Sequence, residues 1–574
     1  MFVKSQVLVL SPEHVTNDNP AVIVPSKRSK PSATSYAQLN SLSCSLQHCL
    51  ALVGVSKGSK VALVLPNSLE FVVAFLAVVR QRAVAALVNP QLKQDEYRQA
   101  LNSIKPDLII VSAHPEDTEH VGGVTHPVVR VAAELGLMTL LCQIKHDDAY
   151  LESCGPDAEG KLAAPASSRR PVRVFSPEEA NAEDDVLLLL TSGTTGPPKA
   201  VMLSHTNLFV AMRIIVSSHS LSSIDYCLII TPLFHIIGVG GSLLTTLFTG
   251  GCVVIPTSLS GSLWKTCEEF KVTWFHAVPT LYRLILAFPF PAGKVPPTLR
   301  FLRSGGSDMA PDLYTKLQEL GLPILEVYGM TETAPAIFCN LLNPGRGKER
   351  KLGHYPISEA VDVMIQAPLP VSDKETNAGP DSGPMSGPED GPGRSSSIPD
   401  DPILRLTKMP GVAGEVCVRG KSVMAGYVDN PEANTMAFLS NGFFRTGDLG
   451  ILHSDGYLQL VGRLKEIINK GGEKVSPSEI EHLSLSHEAV REAACFRIVD
   501  EMYGEDIGLA VVLDAQKECK AATLKKHIRQ QAALFKVPKV IVFTDSITTN
   551  KTGKPLRSFL AEEYAKGKFE PAGA

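Results

Sequence analysis

The sequence predicts an α/β fold in which largely parallel sheets are flanked by helices. Between residues 35 and 130, short apolar strands such as KVALVLP and DLIIVSA alternate with segments whose apolar residues recur at helical spacing. That alternation is typical of a parallel sheet covered by helices on its faces. It resumes after a polar, proline-rich stretch at 154–183, interpreted as a surface crossing, and continues to about residue 365. We therefore expect a large N-terminal domain of several subdomains.

The last third of the chain changes character twice. Residues 368–402 contain repeated Gly-Pro and Ser-Gly pairs and no aromatic residue, which predicts a disordered insertion. GVAGEVCVRG then alternates as half-buried strands do and indicates a β-rich subdomain. Beyond it, IGLAVVLD and AATLKKHIRQQAAL predict a small, compact α+β tail. The predicted domains are residues 1–461 and 462–574.

Composition restricts the possible partners. The 574 residues are 44% hydrophobic and 20% charged, with a net charge of −4, so no basic surface for nucleic acid is indicated. The stretch from Tyr226 to Trp264 lacks Asp, Glu, Lys and Arg and is long enough to cross a bilayer. Its prolines and glycine pairs divide it into short pieces, which favours buried strands around a core helix. We predict neither a nucleic-acid partner nor a membrane span.

The cysteines indicate a reducing compartment. The eleven cysteines include no C-x-x-C pair and are scattered singly through apolar segments. Such a distribution is typical of buried thiols in an intracellular protein, not of a disulfide framework or a zinc site. The chain closes on EPAGA instead of the S-K-L peroxisomal address. The expected location is intracellular, in the cytoplasm or the peroxisome.

One turn has the chemistry of a phosphate-binding loop. LTSGTTGPPKAVMLSH, at residues 190–205, follows a buried apolar run. Hydroxyls and backbone N–H groups in a tight glycine turn form a concave array of donors that suits a polyphosphate. The G-x-x-x-x-G-K-[ST] pattern is absent, and a Ser/Thr/Gly surface loop is the alternative reading. The candidate phosphate-binding residues are Thr191, Ser192, Gly193, Thr194, Thr195, Gly196 and Lys199.

Four further turns share this glycine-rich, polar character. They are YGMTET (328–333), FRTGDLG (444–450), GRLKEIINKGGEK (462–474) and NKTGKPLR (550–557). Each alone is weak, because such turns are usually structural. Together with the first turn, and in this order, they resemble the adenylate-forming superfamily of acyl-CoA synthetases, peptide-synthetase adenylation domains and luciferases. The resemblance extends from about residue 35 to 560, apart from the insertion.

The resemblance implies a reaction and its cofactors. A carboxylic acid would attack the α-phosphate of ATP, with Mg2+ bridging phosphate oxygens, to give an acyl-adenylate and pyrophosphate. The thiol of coenzyme A would then displace AMP. The C-terminal domain would swing between the two steps about a hinge at Gly462, where many relatives carry Asp. A glycine there can absorb a large change in φ and ψ.

The resemblance also assigns roles to residues. Lys554 would bridge the attacking carboxylate and the α-phosphate, Thr331 would donate to that phosphate, and Glu332 would hold Mg2+. His235 would lie beside the reacting carboxylate of the acid. The implied adenosine-binding residues are Gly305, Gly306, Tyr328, Gly329, Asp448 and Arg463, and the implied coenzyme A residues are Gly471, Gly472 and Lys474.

The candidate substrate acid is suggested by a resemblance to particular subgroups of this superfamily. LVGRLKEIINKGGEKVSPSEIE, FKVPK and WFHAVPT are similar to oxalyl-CoA synthetases and 4-coumarate–CoA ligase-like enzymes. Oxalate is the leading candidate, although Pro335 stands where a histidine is expected to bind its second carboxylate, and His276 and Ser304 are possible substitutes. The alternatives are a 4-coumarate or a short- or medium-chain fatty acid ligase, a stand-alone peptide-synthetase module, a luciferase-type oxygenase and a nucleotide-binding pseudo-enzyme. A monomer or a homodimer is expected.

Overall fold

The computed structural model describes most of the chain. The predicted insertion at 368–402 and most of the predicted crossing at 154–183 lie outside the described residues. The described residues are 16–25, 31–112, 127–145, 148–153, 172–176, 179–191, 198–256, 263–344, 353–356, 360–367, 406–471, 473–549 and 554–569.

The first part of the chain alternates strands and helices, as predicted. Up to residue 219 the elements are β1 (Pro20–Val24), β2 (Ser32–Ser35), α1 (Tyr36–Leu52), β3 (Lys60–Val64), α2 (Leu69–Arg80), β4 (Val84–Leu87), α3 (Gln94–Ile104), β5 (Leu108–Ser112), α4 (Pro127–Glu134), β6 (Thr139–Lys145), β7 (Asp148–Ser153), β8 (Asp185–Thr191), β9 (Lys199–Ser204) and α5 (His205–His219).

The alternation continues through the charge-free stretch and beyond it. The elements are β10 (Tyr226–Leu228), α6 (Ile236–Gly238), a π-helical segment (Val239–Leu244), α7 (Thr245–Phe248), β11 (Cys252–Val254), α8 (Leu263–Glu269), β12 (Trp274–Ala277), α9 (Pro279–Leu286), a 3-10 turn (Pro291–Gly293), β13 (Phe301–Gly305), α10 (Pro311–Gln318), β14 (Ile324–Tyr328), a 3-10 turn (Thr331–Thr333) and β15 (Phe338–Cys339).

The remaining elements form the β-rich subdomain and the C-terminal unit. They are β16 (His354–Pro356), β17 (Val361–Gln366), β18 (Leu406–Thr407), β19 (Ala413–Gly420), α11 (Pro431–Ala437), β20 (Phe444–Leu452), β21 (Tyr457–Arg463), β22 (Ile468–Lys470), β23 (Glu473–Val475), α12 (Pro477–Leu485), β24 (Val490–Asp500), β25 (Gly504–Leu513), α13 (Ala521–Gln531), a 3-10 turn (Leu534–Lys536), β26 (Val540–Phe543) and α14 (Arg557–Ala565).

Two mixed sheets form the body of the N-terminal part. The first has the strand order β7-β6-β5-β3-β4-β8-β9, and the second has the order β15-β14-β13-β12-β10-β11-β1-β2. In each sheet the interior strands pair in parallel and the edge strands pair antiparallel. A single large apolar core joins the two sheets through α1, α2 and α5. Helix α2 is buried from Phe71 to Val79, as expected for a helix that is apolar all round.

The third and fourth sheets complete the architecture. The third sheet is antiparallel, in the order β16-β21-β20-β19-β17-β18, and matches the predicted β-rich subdomain. The fourth sheet has the order β23-β22-β25-β24, with β26 parallel to β25 after the crossover helix α13. The mixed α/β fold class predicted from the sequence is confirmed. Gly462 and Arg463 are the last residues of β21 in the third sheet, and the predicted boundary at 461/462 stays a prediction.

The charge-free stretch is folded into the second sheet. Strands β10 and β11 pair in its interior, and α6, the π-helical segment and α7 run on without a break from Ile236 to Phe248. We refer to this continuous element as the 236–248 helix. None of the helices in the described ranges is long and apolar enough to cross a membrane.

Candidate active site

The predicted adenosine residues come together at the carboxyl ends of β13 and β14. Tyr328 is the last residue of β14, and its hydroxyl donates a hydrogen bond of 2.8 Å to Asp448 Oδ2. Asp448 lies opposite Arg463 in the β20–β21 pair, and Arg463 Nε contacts Asp448 Oδ1 at 3.0 Å. Ligands of open α/β sheets bind at this edge of the strands.

Burial has the largest effect on the pKa of Asp448 and of Tyr328, whereas the charge of Asp448 has the largest effect on that of Arg463. Burial raises the pKa of the Asp448 carboxyl above its usual value, while Arg463, Tyr328 and Lys554 act in the opposite direction. The charge of Asp448 raises the pKa of Arg463, and the two side chains form an ion pair. An ion pair with one tyrosine donor leaves a carboxylate held in a fixed orientation at the end of the sheet.

Lys554, from the C-terminal unit, reaches the same cluster. Lys554 is partly buried, and burial lowers the pKa of its ammonium to about 8. Arg463 lowers this pKa further, whereas Asp448 and Asp308 oppose the shift. Lys554 lies 91 residues after Arg463 and 106 residues after Asp448 in the sequence, yet the three residues share one electrostatic environment.

A second cluster connects the predicted phosphate loop to Glu332. The buried Glu332 accepts a hydrogen bond of 2.9 Å at Oε1 from the Tyr427 hydroxyl. Lys199 Nζ lies 4.6 Å from the centre of the Tyr427 ring, within the range of a cation–π contact. Tyr427 is held there because it bridges to Val201 on β9. Lys199 and Glu332 therefore both contact the side chain of Tyr427.

The ends of the phosphate loop are closed by a hairpin. Thr191 and Lys199 lie opposite each other in the antiparallel β8–β9 pair, and Thr191 Oγ1 donates to the Lys199 carbonyl at 3.4 Å. The loop between them contains the candidates Ser192, Gly193, Thr194, Thr195 and Gly196, which lie outside the described residues.

Two of the candidate glycines are required by close backbone contacts. A Cβ at Gly329 would lie 1.9 Å from the Pro335 carbonyl oxygen, and a Cβ at Gly305 would lie 2.7 Å from the Val327 carbonyl oxygen. A real Cβ atom does not come this close to a carbonyl oxygen. The YGMTET and SGG turns can therefore adopt these conformations only with glycine at the two positions. Thr331 begins the 3-10 turn Thr331–Thr333 directly after Gly329-Met330, and Gly306 follows Gly305 at the end of β13.

His235 stands at the start of the 236–248 helix. It is the residue that precedes the first helical position, and its ring lies 4.5 Å from that of Phe234. Burial lowers the pKa of His235 to about 4, so the imidazole is neutral at physiological pH. Its Nε2 atom is buried and has no hydrogen-bond partner among the described residues. This nitrogen is available to a ligand.

The predicted coenzyme A residues lie in the C-terminal unit. Gly471 follows β22, and the three heavy atoms nearest a Cβ at this position all belong to Tyr503. The structure therefore places Gly471 beside Tyr503 of the fourth sheet. Gly472 and the side chain of Lys474 lie outside the described residues.

Arg303 is a residue that the sequence analysis missed. It lies on β13, two residues before Gly305, and its side chain is fully buried. Its Nε donates to His276 Nδ1 at 3.2 Å and its Nη2 donates to Ser242 Oγ at 2.9 Å. The sequence did contain a signal for Arg303, because a charged residue within an otherwise apolar strand often has a functional role. Tyr427 was missed as well, because nothing in GYVDNPE marks it as a neighbour of Glu332.

The two residues suggested as substitutes for the missing histidine separate in the structure. His276 pairs with Arg303 across β12 and β13, on the face of the sheet that the 236–248 helix covers. Ser304 alternates to the opposite face, as successive strand residues do. The expectation that Ser304 could compensate for Pro335 is therefore not supported by the geometry, whereas His276 remains near the site.

Two protein families are similar to this chain in sequence. Residues 13–428 match the family model described as AMP-binding enzyme, and residues 479–554 match that of the AMP-binding enzyme C-terminal domain. The chain belongs to the AMP-binding enzyme family. It is an acyl-CoA synthetase of that family, an ATP-dependent, AMP-forming acid–CoA ligase.

Curated relatives span almost the whole chain. The acyl-CoA synthetase ALT10 of Alternaria alternata is 51% identical and covers 99% of this chain and 100% of its own. The acyl-CoA synthetase FUM10 of Gibberella moniliformis is 48% identical, with 98% and 99% covered. An oxalate–CoA ligase of Saccharomyces cerevisiae is 32% identical, with 96% and 95% covered.

Solved structures support the fold. A structure of the anthranilate CoA ligase AuaEII with anthranoyl-AMP superimposes with a TM-score of 0.77 at 22% identity, covering 98% of both chains. At this identity the likeness establishes the architecture alone. It agrees with the large N-terminal and small C-terminal parts described above.

Proposed function

We propose that this AMP-forming ligase converts a small carboxylic acid to its CoA thioester through an acyl-adenylate bound at the Tyr328–Asp448–Lys554 cluster. The observation that carries the proposal is the position of Lys554. A cationic side chain from the C-terminal unit lies in the field of the Asp448–Arg463 pair, at the carboxyl ends of the parallel strands. ATP would bind with its ribose at Asp448 and its phosphates towards Lys199.

Lys554 is proposed to promote the first step. An acid and the α-phosphate of ATP are both anionic, so a cation between them reduces the repulsion that opposes attack. The attacking carboxylate oxygen forms a bond to the α-phosphorus, and the bond to the pyrophosphate oxygen breaks. A lysine ammonium can approach both oxygens because it is compact and its stem is flexible. Thr331 is proposed to donate to the same phosphate.

Glu332 is proposed as a magnesium ligand. Magnesium in nucleotide sites is commonly held by one or two carboxylates together with phosphate oxygens. One oxygen of Glu332 accepts a hydrogen bond from Tyr427, whose ring also lies against Lys199. When bound, Mg2+ supplies charge neutralisation to the leaving pyrophosphate. Tyr427 is proposed to position Glu332, as partners of ligating carboxylates do.

The second step is proposed to use the other face of the C-terminal unit. Rotation about Gly462 would replace Lys554 with the turn of Gly471, Gly472 and Lys474 and would admit the coenzyme A thiol. A Cβ at Gly462 would lie 2.8 Å from Ser476 Oγ, so the packing at this point favours glycine. His235, neutral and with a buried nitrogen, is proposed to adjoin the acid's carboxylate.

The identity of the acid is proposed only as a class. Oxalate remains a candidate because named oxalate–CoA ligases of yeast and Arabidopsis thaliana are 32% and 33% identical. The two relatives near 50% identity are named only acyl-CoA synthetases. Coumarate and fatty acids remain alternatives, and a nucleotide-binding pseudo-enzyme is the alternative outside ligases.

Pyrophosphate release tests the proposal. The purified chain is supplied with ATP, Mg2+ and each member of an acid panel, with and without coenzyme A, beside a Lys554→Ala variant. We expect acid-dependent pyrophosphate release by the native enzyme and an acyl-CoA product only when coenzyme A is present. Binding of ATP without pyrophosphate release for every acid would instead support the pseudo-enzyme.

A further inference from the structure

A buried arginine, Arg303, lies between β13 and the 236–248 helix. Arg303 makes two hydrogen bonds, to His276 and Ser242, and its Nη1 has no hydrogen-bond partner within the described ranges. Among the described residues no aspartate or glutamate forms an ion pair with it. Burial lowers the pKa of Arg303 only to about 10, so the side chain stays charged at neutral pH. An uncompensated buried cation is unfavourable, and an anionic ligand would relieve it.

The neighbouring imidazole offers a second unused donor. His276 accepts the Arg303 bond at Nδ1, so its proton lies on Nε2 in the neutral ring. That Nε2 is buried and has no partner in the described part of the chain. Burial and the charge of Arg303 hold the pKa of His276 well below its usual value, which keeps the ring neutral. Two buried donors on neighbouring residues, Arg303 Nη1 and His276 Nε2, therefore remain unmatched in the described part of the chain.

These donors lie next to the proposed acid site. The His276 ring extends to the end of β13, where a Cβ at Gly305 would lie 3.5 Å from His276 Cε1. On the helix side, a Cβ at Gly241 would lie 3.4 Å from Arg303 Nη2 and 3.3 Å from Pro335 Cγ. Arg303 thus occupies the neighbourhood of Pro335, the position at which the sequence lacks the expected histidine. Strand β13 thus provides a cationic side chain, Arg303, near the position where the YGMTET turn lacks the expected histidine.

Aromatic packing explains only part of the arrangement. The Arg303 guanidinium lies 4.6 Å from the centre of the Trp274 ring, which stacks on Phe301. A cation–π contact stabilises the flat face of the guanidinium. It provides no acceptor for the Nη1 hydrogens, which point along the edge of the group. The edge is the part that binds a carboxylate with two parallel hydrogen bonds.

We propose that Arg303 binds a second carboxylate of the acid, and that the enzyme prefers dicarboxylic acids with several carbon atoms between the two carboxylates. This inference rests on the proposed function, since it places the reacting carboxylate near His235 and Gly305. His276 Nε2 supports the same second carboxylate as a neutral donor. Arg303 and His276 are then specificity-determining residues.

The distances along β13 and the 236–248 helix, from the proposed site of the reacting carboxylate to Arg303, indicate the length of the acid. Arg303 lies two residues before Gly305, which corresponds to about 7 Å of strand. Its partner Ser242 lies seven residues after His235, or about 10 Å along the helix. The carboxylate carbons of oxalate are joined by a single bond of about 1.5 Å. Four- to six-carbon diacids such as succinate, glutarate and adipate fit this spacing better than oxalate.

Matched acids and variants test the proposal. kcat/KM for pyrophosphate release is measured with oxalate, succinate, glutarate and adipate, and with butyrate and valerate as monocarboxylates of the same length as succinate and glutarate. We expect glutarate or succinate to exceed its monocarboxylate partner by at least tenfold. Arg303→Met, of similar volume but neutral, is expected to reduce kcat/KM for the diacids about a hundredfold. It should change the value for the monocarboxylates less than about fivefold.

Two controls separate binding from packing. Arg283→Met removes another arginine, one that pairs with Asp312 on the opposite face of the second sheet, and should leave the acid preference unchanged. Glutarate should raise the thermal unfolding midpoint of the native protein and of Arg283→Met, but not that of Arg303→Met. A shift of equal size in all three proteins would show that Arg303 does not contact the acid.

The outcomes distinguish this inference from the proposed function. Pyrophosphate release that is as fast with valerate as with glutarate would leave the ligase in place and overturn the role of Arg303. That comparison needs only the native enzyme, so it decides the matter even where Arg303→Met fails to fold. Oxalate as the preferred acid would overturn the spacing argument. No release with any of the acids would instead count against the proposed function.

Discussion

The hydroxyl of Tyr328 donates a hydrogen bond of 2.8 Å to Asp448 Oδ2, across 120 residues of sequence. The contact joins the last residue of β14 to the third sheet, and Arg463 holds the other carboxylate oxygen at 3.0 Å. Asp448 is buried, so each of these donors offsets the cost of removing its charge from water. The orientation of the proposed ribose-binding carboxylate therefore depends on a tyrosine hydroxyl.

Replacement of Tyr328 with Phe should weaken nucleotide binding more than it changes the fold. Loss of one hydrogen bond to a buried charge costs about 1.5–3 kcal/mol, which corresponds to a rise of about tenfold or more in the Kd for ATP. Isothermal titration with ATP measures it. Tyr355→Phe removes the hydroxyl from the neighbouring ring, 5.8 Å away, and serves as the control. An equal loss of affinity in both variants would contradict the role of the Tyr328–Asp448 bond.

The pKa of Lys554 predicts an alkaline limit to adenylation. A lysine whose pKa is lowered to about 8 loses its proton as the pH rises through that value, and with it the proposed stabilising charge. We expect kcat/KM for acid-dependent ATP–pyrophosphate exchange to fall above about pH 8. Lys554→Arg should retain activity at higher pH, since a guanidinium stays protonated. Lys554→Ala should lower kcat by about a hundredfold to a thousandfold at pH 7.5.

Two results of the exchange assay would contradict the proposed role of Lys554. A pH profile that is the same in Lys554→Arg and in the native enzyme would assign the alkaline limb to another group. Normal exchange by Lys554→Ala would remove this residue from the first step altogether.

The buried histidines predict a loss of stability in mild acid. His219 is fully buried, neither ring nitrogen has a hydrogen-bond partner among the described residues, and burial with nearby Arg303 and Arg300 lowers its pKa well below 6.5. The unfolded state therefore binds a proton as the pH falls through 6.5, whereas the folded state does not. The free energy of unfolding should fall by about 1.4 kcal/mol per pH unit from this residue below that value.

A single substitution isolates the contribution of His219. His219→Leu cannot titrate, so its stability should decline less steeply than that of the native protein between pH 6.5 and 5. Urea unfolding at several pH values measures the two slopes. Parallel slopes would mean that His219 is protonated in the folded protein or that the acid response comes from elsewhere.

The sequence predicted those parts of the molecule whose structure is determined by residues close together in the chain. Short apolar runs predicted β3 and β5 because the pattern that marks a buried strand lies in consecutive residues. The turns around Tyr328 and Asp448 were found because glycine and polar residues cluster where a chain turns sharply. The agreement is therefore best for single elements and for turns.

Pairings between distant strands could not be predicted in the same way. Arg303 meets His276 only through the register of β12 and β13, and the 236–248 helix then covers both. The sequence separation of 27 residues carries no periodic signal for such a contact. The same holds for Tyr427, which reaches Glu332 across 95 residues. Side-chain contacts of this kind depend on the tertiary fold and leave no pattern in the sequence.

The contact between Tyr427 and Glu332 leads to a prediction about metal dependence. The Tyr427 hydroxyl donates to one oxygen of Glu332, and the Tyr427 ring lies 4.6 Å from Lys199 Nζ, so this one side chain contacts both residues. Partners of this kind typically change metal affinity by about 10- to 100-fold when they are removed. Tyr427→Phe keeps the ring under Lys199 but frees Glu332 to rotate. We expect the Mg2+ concentration for half-maximal pyrophosphate release to rise at least tenfold, with a smaller change in the KM for the acid.

Glu332→Gln sets the upper limit for that effect. The amide keeps the shape of the side chain but removes the charge that Mg2+ prefers, so its Mg2+ requirement should rise more than that of Tyr427→Phe. If Glu332 holds the metal and Tyr427 acts through it, the double variant should be no worse than Glu332→Gln alone, because the two effects share one cause. Fully additive losses in the Mg2+ titration would show that Tyr427 acts independently, through Lys199 and the phosphates.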